Sequence, residues 1–275
     1  RLFGFEIIDQ SNFYLPTSNK HGGENLSQIG KESLVIPMGR TKITRPIKSL
    51  DIILRTCASV NMLTQSKQRI FEKEKSEYSL KTLSSIVNSI NKNKQLFEKI
   101  KLKFTIVDHN SDNQILEKFG AILNNQFFEN EIIKLDLDFY KKQINKVNEE
   151  GKEVTKNQIS NMSNIHQSFD IAKNCEDLVY FVEDDYLHKL DSIEEMIFTY
   201  EKISTQLNQE LILCPSDYPY LYSNIQKSNI FLGNKYHWRS VEESLCTFLT
   251  SSKLLNKHWD EFTSACKTEH YPFEK

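Results

Sequence analysis

The sequence has few of the residues that form tight turns. Only 8 of its 275 residues are Gly and 6 are Pro, which argues against an all-β protein built from many short hairpins. No apolar run approaches the roughly 18 residues that a membrane-spanning helix needs. Basic and acidic residues almost balance, 35 against 37, so no overall field attracts nucleic acid. Hydrophobic residues make up 39%, and a chain of this length can bury a sizeable core.

Cysteine is sparse and scattered. The five cysteines stand singly, without a C-x-x-C pair, at positions 57, 175, 214, 246 and 266. An odd, dispersed set is typical of reduced thiols and argues against a disulfide framework or a zinc site. We therefore expect a cytoplasmic protein. Because the chain begins with Arg1 and not with Met, we also expect it to be cut from a longer polypeptide, so a missing signal peptide carries no weight.

Apolar patterning divides the chain into two parts. Residues 1–48 have weak periodicity and are predicted to be an N-terminal extension, whereas residues 49–275 are predicted to form one domain. Apolar runs predict strands at residues 50–54, 102–107, 131–135, 178–182 and 211–214, and helical spacing predicts helices near 76–90 (capped by Ser76), 115–123, 162–172 and 190–203, with a loop over 138–158. This alternation predicts an α/β fold with a mainly parallel sheet flanked by helices.

Polar residues follow three of the predicted strands. Arg55 and Thr56 follow the first, Asp108 to Asp112 follow the second, and Glu183-Asp184-Asp185 follow the most apolar strand of the chain. Carboxyl ends of parallel strands meet at one edge, where α/β proteins bind ligands. Three adjacent carboxylates repel one another unless a cation neutralises them, and Mg²⁺ or Mn²⁺ prefers such oxygen ligands. The alternative interpretation is a solvated first turn of the next helix, where acidic residues are also favoured.

Two of these segments resemble motifs of glycosyltransferase family 2 and its GT-A-fold relatives. Residues 104–112, Phe-Thr-Ile-Val-Asp-His-Asn-Ser-Asp, resemble the family's strand followed by D-D-G-S-x-D. Residues 180–185, Tyr-Phe-Val-Glu-Asp-Asp, resemble its strand ending in D-x-D. The chain departs from the family at His109 and Asn110, where Asp and Gly are usual, and it lacks the residue between Ser and the last Asp. The resemblance covers roughly residues 49–262.

The resemblance implies a GT-A-like domain with a smaller, acceptor-side β region at its C-terminal end. It implies a glycosyltransferase that uses Mg²⁺ or Mn²⁺ and moves a sugar from a nucleotide-diphospho-sugar, with UDP favoured, to a hydroxyl of a glycan or glycoconjugate. The residues implied in nucleotide-sugar binding are Arg55, Thr56, Asp108, Asp112, Asn164 and Asp184, and those implied in metal binding are Asp185, Glu183 and His237. Among them, Asp108 is expected to read the base and Asp184 to face the donor sugar.

The resemblance also implies an inverting transfer and a general base in the C-terminal third, where related sugar transferases have the acceptor half of the site. Transfer with inversion needs a carboxylate near the attacking hydroxyl to accept its proton, and Glu242 and Glu243 are the available pair. If this segment is a strand, only one of the two faces the cleft, and we favour Glu243. The alternative is that both are surface charges.

Two rival functions and one further surface stay open. A sugar-phosphate nucleotidyltransferase would use a similar sheet, but residues 55–59 lack the glycines that its first loop usually carries. A non-catalytic module that binds a sugar or a partner protein is the second rival. Residues 66–103 hold ten Lys or Arg against four Asp or Glu, a local net charge of +6, which fits peripheral contact with a membrane or polyanion as well as a solvated helix face.

Overall fold

The apolar runs of the sequence become the strands of one sheet in the computed structural model, which describes residues 42–59, 74–218, 228–242 and 244–268. The strands are β1 Ser49–Thr56, β2 Lys101–Asp108, β3 Glu129–Lys134, β4 Leu178–Glu183, β5 Ile212–Leu213, β6 Ile230–Leu232, β7 His237–Arg239 and β8 Phe248–Ser251. The helices are α1 Lys75–Lys92, α2 Asn113–Leu123, α3 Leu137–Tyr140, α4 Lys156–Ala172, α5 Ser192–Leu207, α6 Ser252–Lys257 and α7 Trp259–Lys267.

Six strands form the central sheet in the order β3-β2-β1-β4-β8-β5. The first four are parallel, and β8 runs antiparallel to both β4 and β5. β6 and β7 pair in a separate two-stranded sheet. β1 and β4 lie at the centre and are buried on both faces, so their sequences are nearly continuous apolar runs, interrupted in β1 by Asp51. The predicted mainly parallel α/β sheet with flanking helices is confirmed, and its topology is Rossmann-like.

Alternate side chains of the strands form two core layers. On one face, Ile52 and Phe104 belong to a cluster that includes residues of α1, α2 and α5. On the other face, Ile53 and Phe181 pack with Phe169 of α4 and with residues of α6 and α7. Because the side chains of a strand alternate between faces, odd-numbered and even-numbered residues at the strand ends also reach opposite sides of the sheet edge.

Several predicted boundaries are wrong. β3 begins at Glu129 rather than at residue 131, and Ser76 lies inside α1, whose N-cap is Glu74. The predicted loop over 138–158 contains most of α3, a 3₁₀ turn at Lys141–Gln143 and a β-bridge. α3 begins where the Asp136 side chain accepts a hydrogen bond from the Phe139 backbone N–H, a capping interaction that apolar periodicity does not register.

The described part of the predicted N-terminal extension packs against the sheet. Arg45 donates to both carboxylate oxygens of Asp177, at 2.9 and 2.6 Å, and lies 2.9 Å from Glu210. The backbone N–H of Lys48 also donates to Asp177, at 2.7 Å. Burial alone would raise the pKa of Glu210, but its bonds with Arg45 and Tyr200 outweigh burial and lower the pKa to about 2. Residues 45–48 are therefore anchored beside the amino end of β4.

Among the described residues, every helix is too short or too polar to cross a membrane.

The β6–β7 hairpin is held against α5 by contacts to one buried carboxylate. Glu195 accepts hydrogen bonds from the indole N–H of Trp238 at 3.0 Å and from the backbone N–H groups of Asn234 and Lys235 at 3.0 and 2.7 Å. A Cβ atom at Gly233 would lie 2.2 Å from Glu195 Oε1, so a larger residue there would displace this carboxylate from its donors. The hairpin is thus clamped to α5 through a charged, buried acceptor.

Replacing Glu195 by Ala should lower the free energy of unfolding by about 2 kcal/mol, because several donors lose their acceptor. Burial alone would raise the pKa of Glu195, but the hydrogen bonds from Trp238 and the hairpin backbone outweigh burial and lower it. A carboxyl whose folded pKa lies below its unfolded value stabilises the fold above that unfolded value, and this contribution is lost as the pH falls through the folded pKa. Urea unfolding between pH 7 and pH 3 measures both effects. Glu194→Ala, one residue away on the partly exposed face, should change little, and equal losses in the two variants would contradict the clamp.

Candidate functional site

The carboxyl ends of β1, β2 and β4 meet at the point where the strand order reverses. β1 lies between β2 and β4, and the register pairs Thr56 with Asp108 and Arg55 with Glu183. In open α/β sheets the ligand crevice lies outside the carboxyl ends at such a switch point. The sheet therefore brings four of the predicted site residues to one edge, as the sequence pattern required.

The Asp108 carboxylate is buried and used within the protein. It accepts hydrogen bonds from the Thr56 hydroxyl at 2.6 Å, from the Ser111 hydroxyl at 2.5 Å and from the Ser111 backbone N–H at 3.0 Å. Ser111 in turn accepts from the Ala58 backbone N–H. Only 4% of Asp108 is exposed. These contacts tie the turn after β2 to the end of β1, and they leave the carboxylate little capacity to contact a nucleobase.

Asp184 has a similar structural role. Its carboxylate accepts from the Ser79 hydroxyl at 2.7 Å and from the Cys57 backbone N–H at 3.3 Å, and it lies 3.4 Å from the Lys75 ammonium. Cys57 directly follows β1, whereas Lys75 and Ser79 lie in the first two turns of α1. One buried carboxylate thus holds both described ends of the connection between β1 and α1.

Arg55 lies at the end of β1, on the face of the sheet that α4 covers. Its Nη1 donates to Asn161 of α4 at 3.1 Å, and its Nη2 lies 3.0 Å from Glu183 Oε1, although the two are not aligned as a hydrogen bond. Burial would lower the pKa of Arg55, but the Glu183 carboxylate outweighs burial and raises it. The acidic triplet is therefore partly neutralised by the protein's own cations, with Arg55 at Glu183 and Lys75 at Asp184.

The predicted metal ligands occupy different environments. Asp185 is exposed just beyond β4, and the Glu183 side chain is 26% exposed beside Arg55. His237 begins β7 in the separate two-stranded sheet and is exposed. Over the described ranges, no group of three or more His, Cys, Asp or Glu side chains is arranged to hold a metal, so His237 does not complete a set with the other two. The residues present fit a Mg²⁺ ion that takes one or two carboxylates and shares phosphate oxygens of a ligand.

The remaining predicted residues are placed as follows. Asn164 is buried in α4 and donates to the Val107 carbonyl at 3.0 Å, which fixes the helix against β2. Asp112 is the exposed N-cap of α2. Glu242 is exposed in a bend between β7 and β8, so strand alternation does not determine which of the two glutamates faces the cleft. Glu243 lies outside the described residues.

The crevice also contains a pair that the sequence did not single out as a site. His109 follows β2, and its Nδ1 lies 2.6 Å from the hydroxyl of Ser160 in α4 and 3.8 Å from the Cys57 sulfur. Burial lowers the pKa of His109, and burial raises the pKa of Cys57 to about 11. In the sequence, His109 stands out only as a departure from the family motif. Ser160 carries no recognisable signal, because it lies 51 residues further along the chain.

The site is that of a Rossmann-like α/β protein, with its polar groups gathered at the switch point. Neither the comparison with protein-family models nor the search of curated proteins matches this chain.

Proposed function

We propose that this chain is a glycosyltransferase that uses a nucleotide-diphospho-sugar and a divalent metal ion. The observation that carries the proposal is the placement of Glu183 at the last position of β4, with Asp184 and Asp185 directly after it, at the switch point beside the end of β1. A ligand in this crevice would meet an exposed carboxylate at Asp185, with two neighbours already held by Arg55 and Lys75. The motif resemblance at residues 104–112 and 180–185 supports the same reading.

The metal ion and the side chains of the protein would have different roles. Asp185 would hold Mg²⁺ or Mn²⁺, joined by Glu183 where that side chain turns from Arg55 to the crevice. When bound, the ion would neutralise charge on the leaving diphosphate. Asp108, Asp184 and Arg55 would not touch the donor; they would fix the strand ends so that the crevice keeps one shape, which limits the cost of orienting donor and acceptor. Glu242 and Glu243 stay candidates for the base in an inverting transfer.

A second candidate is a non-catalytic module that binds a sugar or a partner. It is favoured by the internal use of Asp108, Asp184 and Glu183, because these carboxylates are satisfied by protein groups rather than left for a donor. A degenerate transferase would retain the fold for binding while its carboxylates serve only stability.

Donor hydrolysis separates the two functions. The chain should be screened against UDP-, GDP-, CMP- and dTDP-sugars with Mn²⁺, with Mg²⁺ and with EDTA. We expect metal-dependent release of the nucleotide from at least one donor, and the strongest signal from a UDP-sugar. Calorimetric binding without turnover over a broad acceptor panel would favour the module. The absence of both binding and release would contradict the transferase and would leave only a module that binds a partner protein.

A further inference from the structure

The imidazole of His109 lies in the crevice, directly after the buried Asp108, and one of its two ring nitrogens can bind a ligand. His109 is partly exposed, and its Nε2 has no hydrogen-bond partner within the described parts of the chain. Its Nδ1, by contrast, is 2.6 Å from the Ser160 hydroxyl. The imidazole is thus anchored at one nitrogen and open at the other, at the strand end where the resemblance places base recognition.

The contact with Ser160 determines where the ring proton lies. Ser160 is buried, and His109 Nδ1 is its hydrogen-bond partner over the described ranges. If Nδ1 carried the proton, the Ser160 hydroxyl hydrogen would be buried without an acceptor, which is costly. The hydroxyl therefore donates to Nδ1, and a neutral ring then carries its proton on Nε2. Because burial lowers the pKa of His109, the ring is neutral at neutral pH.

An Nε2–H group selects its ligand by hydrogen-bond polarity. It can donate to the ring carbonyl that uracil and guanine present, whereas cytosine and adenine present an amino donor at the corresponding position. We propose that His109, oriented by Ser160, reads the base of the bound nucleotide and favours uracil or guanine over cytosine or adenine. This inference rests on the proposed nucleotide-sugar function, and it transfers the reading of the base from Asp108 to His109.

The test is equilibrium binding of UDP, GDP, CDP and ADP, each with Mn²⁺, to four proteins. The wild type should bind UDP or GDP about tenfold more tightly than CDP and ADP. UDP and GDP gain one hydrogen bond from His109, whereas CDP and ADP place an amino donor against the Nε2–H donor, and a difference of this kind corresponds to about tenfold in affinity. His109→Ala should reduce that ratio to about one. Ser160→Ala should reduce it to about threefold or less, because the tautomer is no longer fixed while the ring remains.

Ser163→Ala is the matched control. Ser163 is buried in the same helix, and its hydroxyl has no hydrogen-bond partner in the described structure, so this variant makes the same change without touching His109. It should keep the wild-type ratio. Because a base preference is a ratio of affinities on one folded protein, a general loss of stability does not change it. If His109→Ala failed to fold, Ser160→Ala against Ser163→Ala would decide alone.

Failure of the inference and failure of the proposed function give different results. A wild type that binds nucleoside diphosphates and keeps its base preference in His109→Ala and in Ser160→Ala overturns the inference and leaves the function standing. A wild type that shows no preference among the four also overturns it. A wild type that binds none of the four overturns the function and the inference together.

Discussion

Replacing Asp185 by Ala should reduce metal-dependent release of nucleotide from the donor sugar by about a hundredfold or more. Asp185 is the exposed member of the acidic triplet, whereas the other two face Arg55 and Lys75. If Asp185 binds a metal ion that stabilises the leaving diphosphate, its loss should reduce the stabilisation of the transition state by several kcal/mol. Each 1.4 kcal/mol corresponds to about tenfold in rate. The measurement is initial rate against Mn²⁺ concentration for both proteins with the best donor of the screen.

Glu176→Ala provides the control. Glu176 is an exposed carboxylate near the amino end of β4, so its replacement by Ala removes the same charge from the opposite edge of the sheet. It should leave the rate and the Mn²⁺ dependence unchanged. Undiminished, metal-dependent turnover in Asp185→Ala would remove this residue from the proposed site. Equal losses in the two variants would mean that overall charge, and not ligation, explains the effect.

The central strands were predictable because burial leaves a direct record in the sequence. The middle stretches of β1, β2 and β4 are buried under helices, so each contains a run of apolar residues that is followed by a charged residue near the carboxyl end of the strand. β3 has an edge position, and its alternating exposure blurs its start. β5 contains only two residues. Strands at the rim of the sheet leave a weaker pattern, and there the predicted boundaries differ from the structure.

The location of the candidate site was also predictable, but the state of its carboxylates was not. Parallel topology alone brings the ends of three strands together, whichever residues follow them. The partners of those carboxylates come from distant segments: Ser79 lies 105 residues from Asp184 in the chain, and Thr56 lies 52 residues from Asp108. No local pattern encodes such pairs. The sequence therefore predicts that the three carboxylates repel one another unless a metal ion binds. In the structure, Arg55 and Lys75 neutralise part of that negative charge.

The Arg55–Glu183 pair should stabilise the fold asymmetrically. The Arg55 side chain is only 5% exposed, whereas that of Glu183 is 26% exposed. Glu183→Gln leaves a buried guanidinium without its counter-charge, for which we expect a loss of about 3 kcal/mol in the free energy of unfolding. Arg55→Met leaves a carboxylate that can turn towards water, and the expected loss is about 1 kcal/mol. Urea unfolding of both variants, monitored by circular dichroism, measures the difference.

The double variant shows whether the two side chains act as a pair. In the Arg55→Met/Glu183→Gln variant neither member of the pair is charged, so the loss should be smaller than that of Glu183→Gln alone. The coupling energy from the four proteins should be about 1–3 kcal/mol, in the range of contacting charged residues. Losses that add to within about 0.5 kcal/mol would contradict the pairing. In that case Glu183 would be free of Arg55 in solution and could join Asp185 in the proposed metal site.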